Sequence, residues 1–413
     1  MKLLSTTAGL LAIGALGIHD AQAESKPWSL SATLRGFYDD NYATAPSTPP
    51  PGTAPAQSSY GFEISPSASY SLAREQSSLA LKYTYGLKYY ENRVNSADHS
   101  HQADAILKHE FTPRAKITGD ESFVMAQEAG LLDPGVSATP LRSNGNNIRN
   151  TASVSLETEF TRLLGTEVAY SNSVFDYENT GPGSRSALLD RTEHLARANL
   201  RWFALPTTTV ILGYQFGVVD QTSKDFLVGA FLPNLRDNRS HYGYVGADYY
   251  LTEQLSFHPR VGVQYVEYPN APVGASRSQA NPYADFSGTY NYAENCALQL
   301  GVKHNRTQTD VAAAAAGTPT LDAETTALYG SINHQITAKI SASLLGQYQR
   351  SAFNQGAAAG QIDQLGIVGV NVGYAINPFL TAEAGYNYDR LLSEIGNRSF
   401  TRNRVYVGIR ATY

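Results

Sequence analysis

Eight stretches of period-two alternation end on an aromatic residue just before a tight turn: Tyr70, Phe111, Phe160, Trp202, Tyr249, Tyr292, Tyr374 and Tyr413. They recur at intervals of 39 to 49 residues, with one gap of 82, and inside that gap a similar stretch ends on Ile336. Reading back by twos from Tyr413 gives Ala411, Ile409, Val407 and Val405, and from Tyr374 gives Val372, Val370 and Val368. The residues between them in the last stretch include Thr412, Arg410, Gly408 and Arg404. Alternation of this period places the two series on opposite faces of a β-strand. An aromatic at the same end of every second strand is the pattern of a girdle at a membrane interface, so these eight are the candidate membrane-interface aromatics.

The chain opens with Lys2, an apolar or small run from Leu3 to Ile18, and Ala21-Gln22-Ala23. That order predicts a secretory signal peptide over 1–23, cleaved before Glu24, with one domain over 24–413. The run is short for a spanning helix. No other segment has 18 successive apolar residues and mean hydropathy is −0.29, which excludes a helical membrane protein. A barrel is compatible with that value, because only alternate residues face lipid. The single cysteine, Cys296, rules out an intramolecular disulfide framework. A net charge of −5, without a basic block interleaved with aromatics, makes no case for nucleic acid.

Connections of two kinds alternate along the chain. Short ones sit beside the aromatics: 73–76, 112–114, 161–163, 205–207, 252–254, 293–295, 337–338 and 377–378, carrying Pro, Asn, Thr and charge as hairpin turns do. Longer ones are Asn41–Ser59, Asn92–Asp98, Gln127–Asn147, Asn179–Leu189, Gln221–Arg236, Pro269–Ser278, Asp310–Thr320, Asn354–Gly360 and Leu392–Arg398. Eight short turns and nine long loops predict about 18 strands, although Gly119-Asp120-Glu121 interrupts the alternation between Ala115 and Gln127. In hydrocarbon every backbone N–H and C=O needs a protein partner, and only closure removes the sheet edges. The predicted fold is all-β: a single up-and-down antiparallel transmembrane β-barrel with short periplasmic turns and longer extracellular loops. Tyr38, Tyr60, Tyr89, Tyr177, Tyr265, Tyr348 and Tyr388 lie near the long loops and are expected to form a second girdle.

Alternation also selects the inward series. The pore-lining candidates are Arg35, Lys82, Lys108, Arg197, Arg201, Arg260, Asp285, Glu383, Arg404 and Arg410. Rings of side-chain charge set ion preference in pores, and the same charges can pair and stiffen the wall. Arg402, Arg404 and Arg410 share one face of the last strand, beside Arg35 of the first if the barrel closes, which suggests a local positive excess favouring anionic solutes.

The signal peptide, the alternation of turns and loops, and the ending Arg404-Val405-Tyr406-Val407-Gly408-Ile409-Arg410-Ala411-Thr412-Tyr413 resemble Gram-negative outer-membrane barrels. In that group the final strand is read by the barrel-assembly machinery, and Tyr413 stands where Phe is more usual. The opening Trp28-Ser29-Leu30-Ser31-Ala32-Thr33-Leu34-Arg35-Gly36-Phe37-Tyr38-Asp39-Asp40-Asn41-Tyr42 and the many Gly-Tyr pairs resemble the putative β-barrel porin type 2 family. The resemblance implies an outer-membrane location and transport, often in a polysaccharide-export setting, and implies no catalytic residues.

The residues agree with that absence of chemistry. His99 and His101 share a strand face, but no third ligand stands at a telling spacing, so no metal is expected. His194, His241, His304 and His334 fall on the outward series, yet no serine is singled out beside them. Leu365-Gly366-Ile367-Val368-Gly369 lies mid-strand with no helix after it and is no phosphate loop. The expectation is a non-enzymatic channel without cofactors, in contact with outer-membrane lipid and passing small hydrophilic solutes by diffusion. The alternative is a component of extracellular polysaccharide export or assembly, with Tyr242, Tyr244 and Tyr283 stacking on sugar rings. A third reading is a soluble surface adhesin.

Overall fold

The computed structural model describes residues 26–126, 146–312 and 318–413. The leader expected over 1–23 and residues 127–145 of the third long loop lie outside them. Eighteen strands follow one another. They are β1 (Trp28–Asp39), β2 (Ser59–Ala73), β3 (Ser77–Tyr90), β4 (Ala97–Thr112), β5 (Ala115–Ala126) and β6 (Asn147–Glu159). Next come β7 (Leu164–Tyr177), β8 (Arg191–Leu205), β9 (Thr208–Gln221), β10 (Asn238–Tyr250), β11 (Leu255–Glu267) and β12 (Ser278–Ala293). The last six are β13 (Cys296–Thr307), β14 (Asp322–Gln335), β15 (Ile340–Asn354), β16 (Ile362–Asn377), β17 (Leu380–Ser393) and β18 (Phe400–Thr412). Among the described residues, one short helix, α1 (Arg185–Leu189), and 3-10 turns at Pro233–Arg236 and Gly356–Ala358 lie in the long loops.

Each strand pairs antiparallel with its chain neighbours, and β1 also pairs with β18, with Arg35 opposite Gly408. The sheet is therefore a closed barrel without edges. The segment containing Gly119-Asp120-Glu121 is strand throughout, because β4 and β6 both supply ladder partners along it. That register turns Asp120 inward and Glu121 outward.

Five of the eight short turns share one device. The hydroxyl of Thr161 accepts the N–H groups of Leu163 and Leu164, and Thr252 and Thr337 do the same for the residues two and three places on. Thr112 and Asn377 each hold the N–H two places on. A side-chain oxygen that imitates a carbonyl allows the backbone to reverse within a few residues.

Side chains sort by register. The outer wall is a band of exposed apolar groups, among them Leu34, Val261, Val407 and Leu300, each more than half exposed. A water-soluble fold would not present such a continuous surface. The inner wall carries most of the strand charges, with Ser, Asn and Gln. Tyrosines there lie flat over cross-strand glycines: Tyr329 covers Gly301 and Tyr406 covers Gly385, and a Cβ at either glycine would collide with the ring. This lets a bulky aromatic line the wall without standing across the bore.

The β12–β13 seam is incomplete at its long-loop end. The β12–β13 ladder begins only at Ala284 opposite His304, because Pro282 has no N–H to offer. Gln264 of β11 fills the gap. Its Oε1 accepts the Arg306 N–H at 2.7 Å and its amide nitrogen approaches the Arg306 carbonyl at 3.5 Å, so a side-chain amide stands where a peptide group would be.

Candidate functional site

The barrel register places all ten charged candidates on the inner face, since each shares parity with a ladder of inward residues running from β1 round to β18. Most are engaged in pairs. Glu383 accepts from the Arg35 Nε and, at 2.9 Å, from Arg410, while Glu63 lies 3.4 Å from Arg35. Arg404 meets Asp389 at 2.6 Å, and Arg402 Nε bonds Asp39 at 3.0 Å. Arg197 pairs with Glu167 at 2.5 Å, and Asn199 bonds the other oxygen of that carboxylate at 3.1 Å. Glu157 bridges Arg201 and Lys116, and Asp248 bridges Arg260 and His258. Lys82 stands opposite Asp104, Lys108 opposite Thr118, and Asp285 between Arg260 and Lys303.

The positive excess expected where β18 meets β1 is not present. Four arginines there (35, 402, 404, 410) meet four carboxylates (Asp39, Glu63, Glu383, Asp389). The carboxylates come from β1, β2 and β17, so reading the last strand alone counts only the cations.

The eight interface aromatics all face outward at the short-turn end, and Tyr413 packs on Trp28 with centroids 5.8 Å apart. In the second set, Tyr177 departs from expectation. It faces inward and is 2% exposed, packed with Phe175 and Leu189 under α1. His99 and His101 face outward, each bonded through Nδ1 to a cross-strand tyrosine hydroxyl, Tyr85 and Tyr83. No group of three metal-capable side chains occurs among the described residues.

The site that sequence reasoning missed lies at the long-loop mouth. An 18-stranded barrel has a radius on the order of 18 Å, so loops rooted six strands apart begin about 30 Å from one another. The β7–β8 and β13–β14 loops are so separated, yet both touch Arg236 of the β9–β10 loop. Its guanidinium, wholly buried, donates to the carbonyls of Thr309 (2.9 Å), Thr320 (3.0 Å), Val311 and Leu188 (3.4 Å). On the other side, Arg398 of the β17–β18 loop bonds Asp310 at 2.6 Å and Asp363 at 2.8 Å. Gln221 and Gln308 add a further bond at 3.2 Å. The β13–β14 loop is thus tied to partners rooted across ten strands, which it reaches by leaning over the bore.

Small apolar clusters stabilise this cover. Val311, Ala323, Phe353 and Ala358 form one, and Val266, Tyr268, Ala271 and Leu321 another. Burial pushes the Arg236 guanidinium down to about 10, against the pull of Asp310 and Asp322, so it stays charged at neutral pH. Burial acts the same way on Arg398, but Asp310 and Asp363 outweigh it and raise that group. The arrangement is a latch of fixed charges and carbonyls, with nothing nucleophilic in it. Its members looked like ordinary loop residues because their partners lie 35 to 88 positions away.

A family model described as Putative beta-barrel porin 2 matches residues 316–413, from within the β13–β14 loop to Tyr413. No curated protein matches the sequence. Among solved structures the chain is similar to a BenF-like porin from Pseudomonas fluorescens Pf-5 at 9% identity and a TM-score of 0.47, over 94% of this chain and 99% of that one. It is similar to OpdK of Pseudomonas aeruginosa, solved with vanillate, at 10% identity and a TM-score of 0.45, over 94% and 99%. For the FrpB iron transporter from Neisseria meningitidis the values are 9% and 0.44, over 94% and 83%.

Proposed function

We propose that the chain is an outer-membrane porin through which small hydrophilic solutes diffuse passively, and that it is not an enzyme. The observation that carries this reading is the sorting of side chains by a closed 18-stranded sheet: apolar groups outward, paired charges inward. Barrels of 16–18 strands enclose an aqueous channel unless something plugs them. The C-terminal family match supports the same reading. The pore-lining role belongs to Arg35, Lys82, Lys108, Arg197, Arg201, Arg260, Asp285, Glu383, Arg404 and Arg410. Because most of them are neutralised in place, the bore discriminates weakly between anions and cations. Passage is governed by the latched β13–β14 loop, which narrows the mouth.

Export through a leader over 1–23 and insertion by the barrel-assembly machinery through β18 and Tyr413 complete the proposal. N-terminal sequencing of the mature protein, expected to begin at Glu24, tests the first. Polysaccharide export is less well supported. Tyr244 and Tyr283 are buried against each other and Ile211, which leaves little open ring surface for a sugar.

Purified protein in planar bilayers tests the main reading. Small, nearly unselective conductance steps are expected. Silence from both the parent and a variant with the latch removed would sink it.

A further inference from the structure

Two arginines on the outer wall have no role in the bore. Arg350 of β15 and Arg390 of β17 are exposed, while their flanking residues Gln349, Ser351, Asp389 and Leu391 are buried on the inner side. On β16, which lies between, Gln364 stands opposite Arg350 and Gly366 opposite Arg390. Their Cα atoms are therefore two strands and one two-residue step apart, about 12 Å. Each guanidinium reaches about 6 Å from its Cα, so the two can converge above Gly366, where the space is open. Tyr348, opposite Gly366, bonds Gln364 at 3.1 Å and borders the same spot.

Depth identifies the occupant. Tyr348 and Tyr388 are outward aromatics two residues below Arg350 and Arg390. Such tyrosines sit at headgroup level, and the next outward pair, about 5 Å further along the tilted strand, lies in the phosphate layer. Neither arginine has a hydrogen bond or ion pair with a described residue. Other outward arginines at this end have acidic neighbours: Arg306 bonds Asp322 at 3.0 Å, and Arg239 stands opposite Glu267. The carboxylates nearest the pair are committed elsewhere. Glu394 accepts the Ile362 N–H at 2.9 Å, and Glu324 faces His304 and Arg306.

We propose that Arg350 and Arg390 clamp the phosphate of an outer-leaflet lipid headgroup over Gly366. This rests on the reading of the barrel as an outer-membrane protein. Planar guanidinium groups suit phosphate oxygens, and the site opens sideways, toward lipid, above aromatic rings. A lipid-borne phosphate therefore fits it better than a free ion from the medium.

The test is native mass spectrometry of the detergent-solubilised barrel with diphosphoryl lipid A, the fold of every variant being verified by heat-modifiable gel mobility. The parent is expected to retain lipid A, and R350A/R390A to lose about tenfold or more of that retention. R239A is expected to match the parent, and inorganic phosphate alone is expected not to bind. Equal retention by parent and double variant, equal loss in R239A, or binding of free phosphate without lipid would each overturn the proposal. Because gel mobility and conductance report the barrel separately, loss of lipid binding alone leaves the porin reading standing. A Gly366→Leu variant, which fills the cradle and keeps both charges, is expected to weaken retention as well.

Discussion

Arg398 holds Asp310 at 2.6 Å although 88 positions separate them in the chain. The bond joins the β17–β18 loop to the β13–β14 loop over the mouth of the barrel. A porin whose entrance is latched in this way should respond to loss of the latch before it responds to changes in the wall.

Asp310→Ala is therefore expected to raise single-channel conductance or open probability with the barrel intact. The same variant leaves Arg398 with Asp363 as its carboxylate, so little loss of global stability should accompany it. Single-channel recording beside a denaturant titration checks both, and an unchanged current trace would contradict the gating role.

Arg236→Met should have the larger effect. It removes a donor to four carbonyls from two other loops in a buried setting. Buried groups left unpaired cost about 1–3 kcal/mol each. The expected outcome is local: faster proteolysis at residues 308–312 and 318–321 and higher conductance, with gel mobility still that of a folded barrel.

Gln264→Leu tests the seam. The Arg306 N–H would lose the acceptor that stands in for the partner Pro282 displaces. Destabilisation of about 1–3 kcal/mol is expected. Hydrogen exchange at the Arg306 amide should accelerate more than at Val302, where the ladder is regular.

Glu121→Leu should stabilise the protein. Glu121 faces outward between Ala105 and Ala152 and has no described partner. Its register row runs through Ala105, Leu81 and Tyr70 to Trp28, four strands lower. A tilted barrel climbs about 3 Å per strand, which puts the carboxyl about 12 Å above the girdle and well inside the hydrocarbon. Removing it should add on the order of 1–2 kcal/mol in a lipid-based unfolding titration. Destabilisation instead would mean that another protein surface covers it.

Asp190 supplies a pH test. Its carboxylate accepts the Tyr177 N–H at 2.8 Å and the Ser186 hydroxyl, and burial raises its pKa above the usual carboxylate range. An acid with a raised pKa in the folded state binds its proton earlier when folded than when unfolded. Stability from this group thus increases as pH falls through that window and decreases as pH rises out of it. Protection of the α1 loop amides should hold or improve on mild acidification, and Asp190→Asn should abolish that dependence.

Period two was legible in individual strands, as in Val405, Val407 and Ile409 against Arg404, Gly408 and Arg410, because lipid outside and water inside impose opposite chemistry on adjacent residues. Thr161, Thr252 and Thr337 announced their turns for an equally local reason. The course of Asp120 and Glu121 was not legible, since ladder pairing on both flanks overrode a broken pattern. Nor was Tyr177, whose place depends on a helix packing above it.

The sequence by itself determined the solvent on each face, the strand count and the alternation of turns and loops, all consequences of interactions within a few residues. Only the tertiary structure decided which charge neutralises which, and that loops rooted far apart close over the bore. Those pairings join residues that cross-strand register, barrel closure and loop contact bring together, so the pattern along any one strand does not record them.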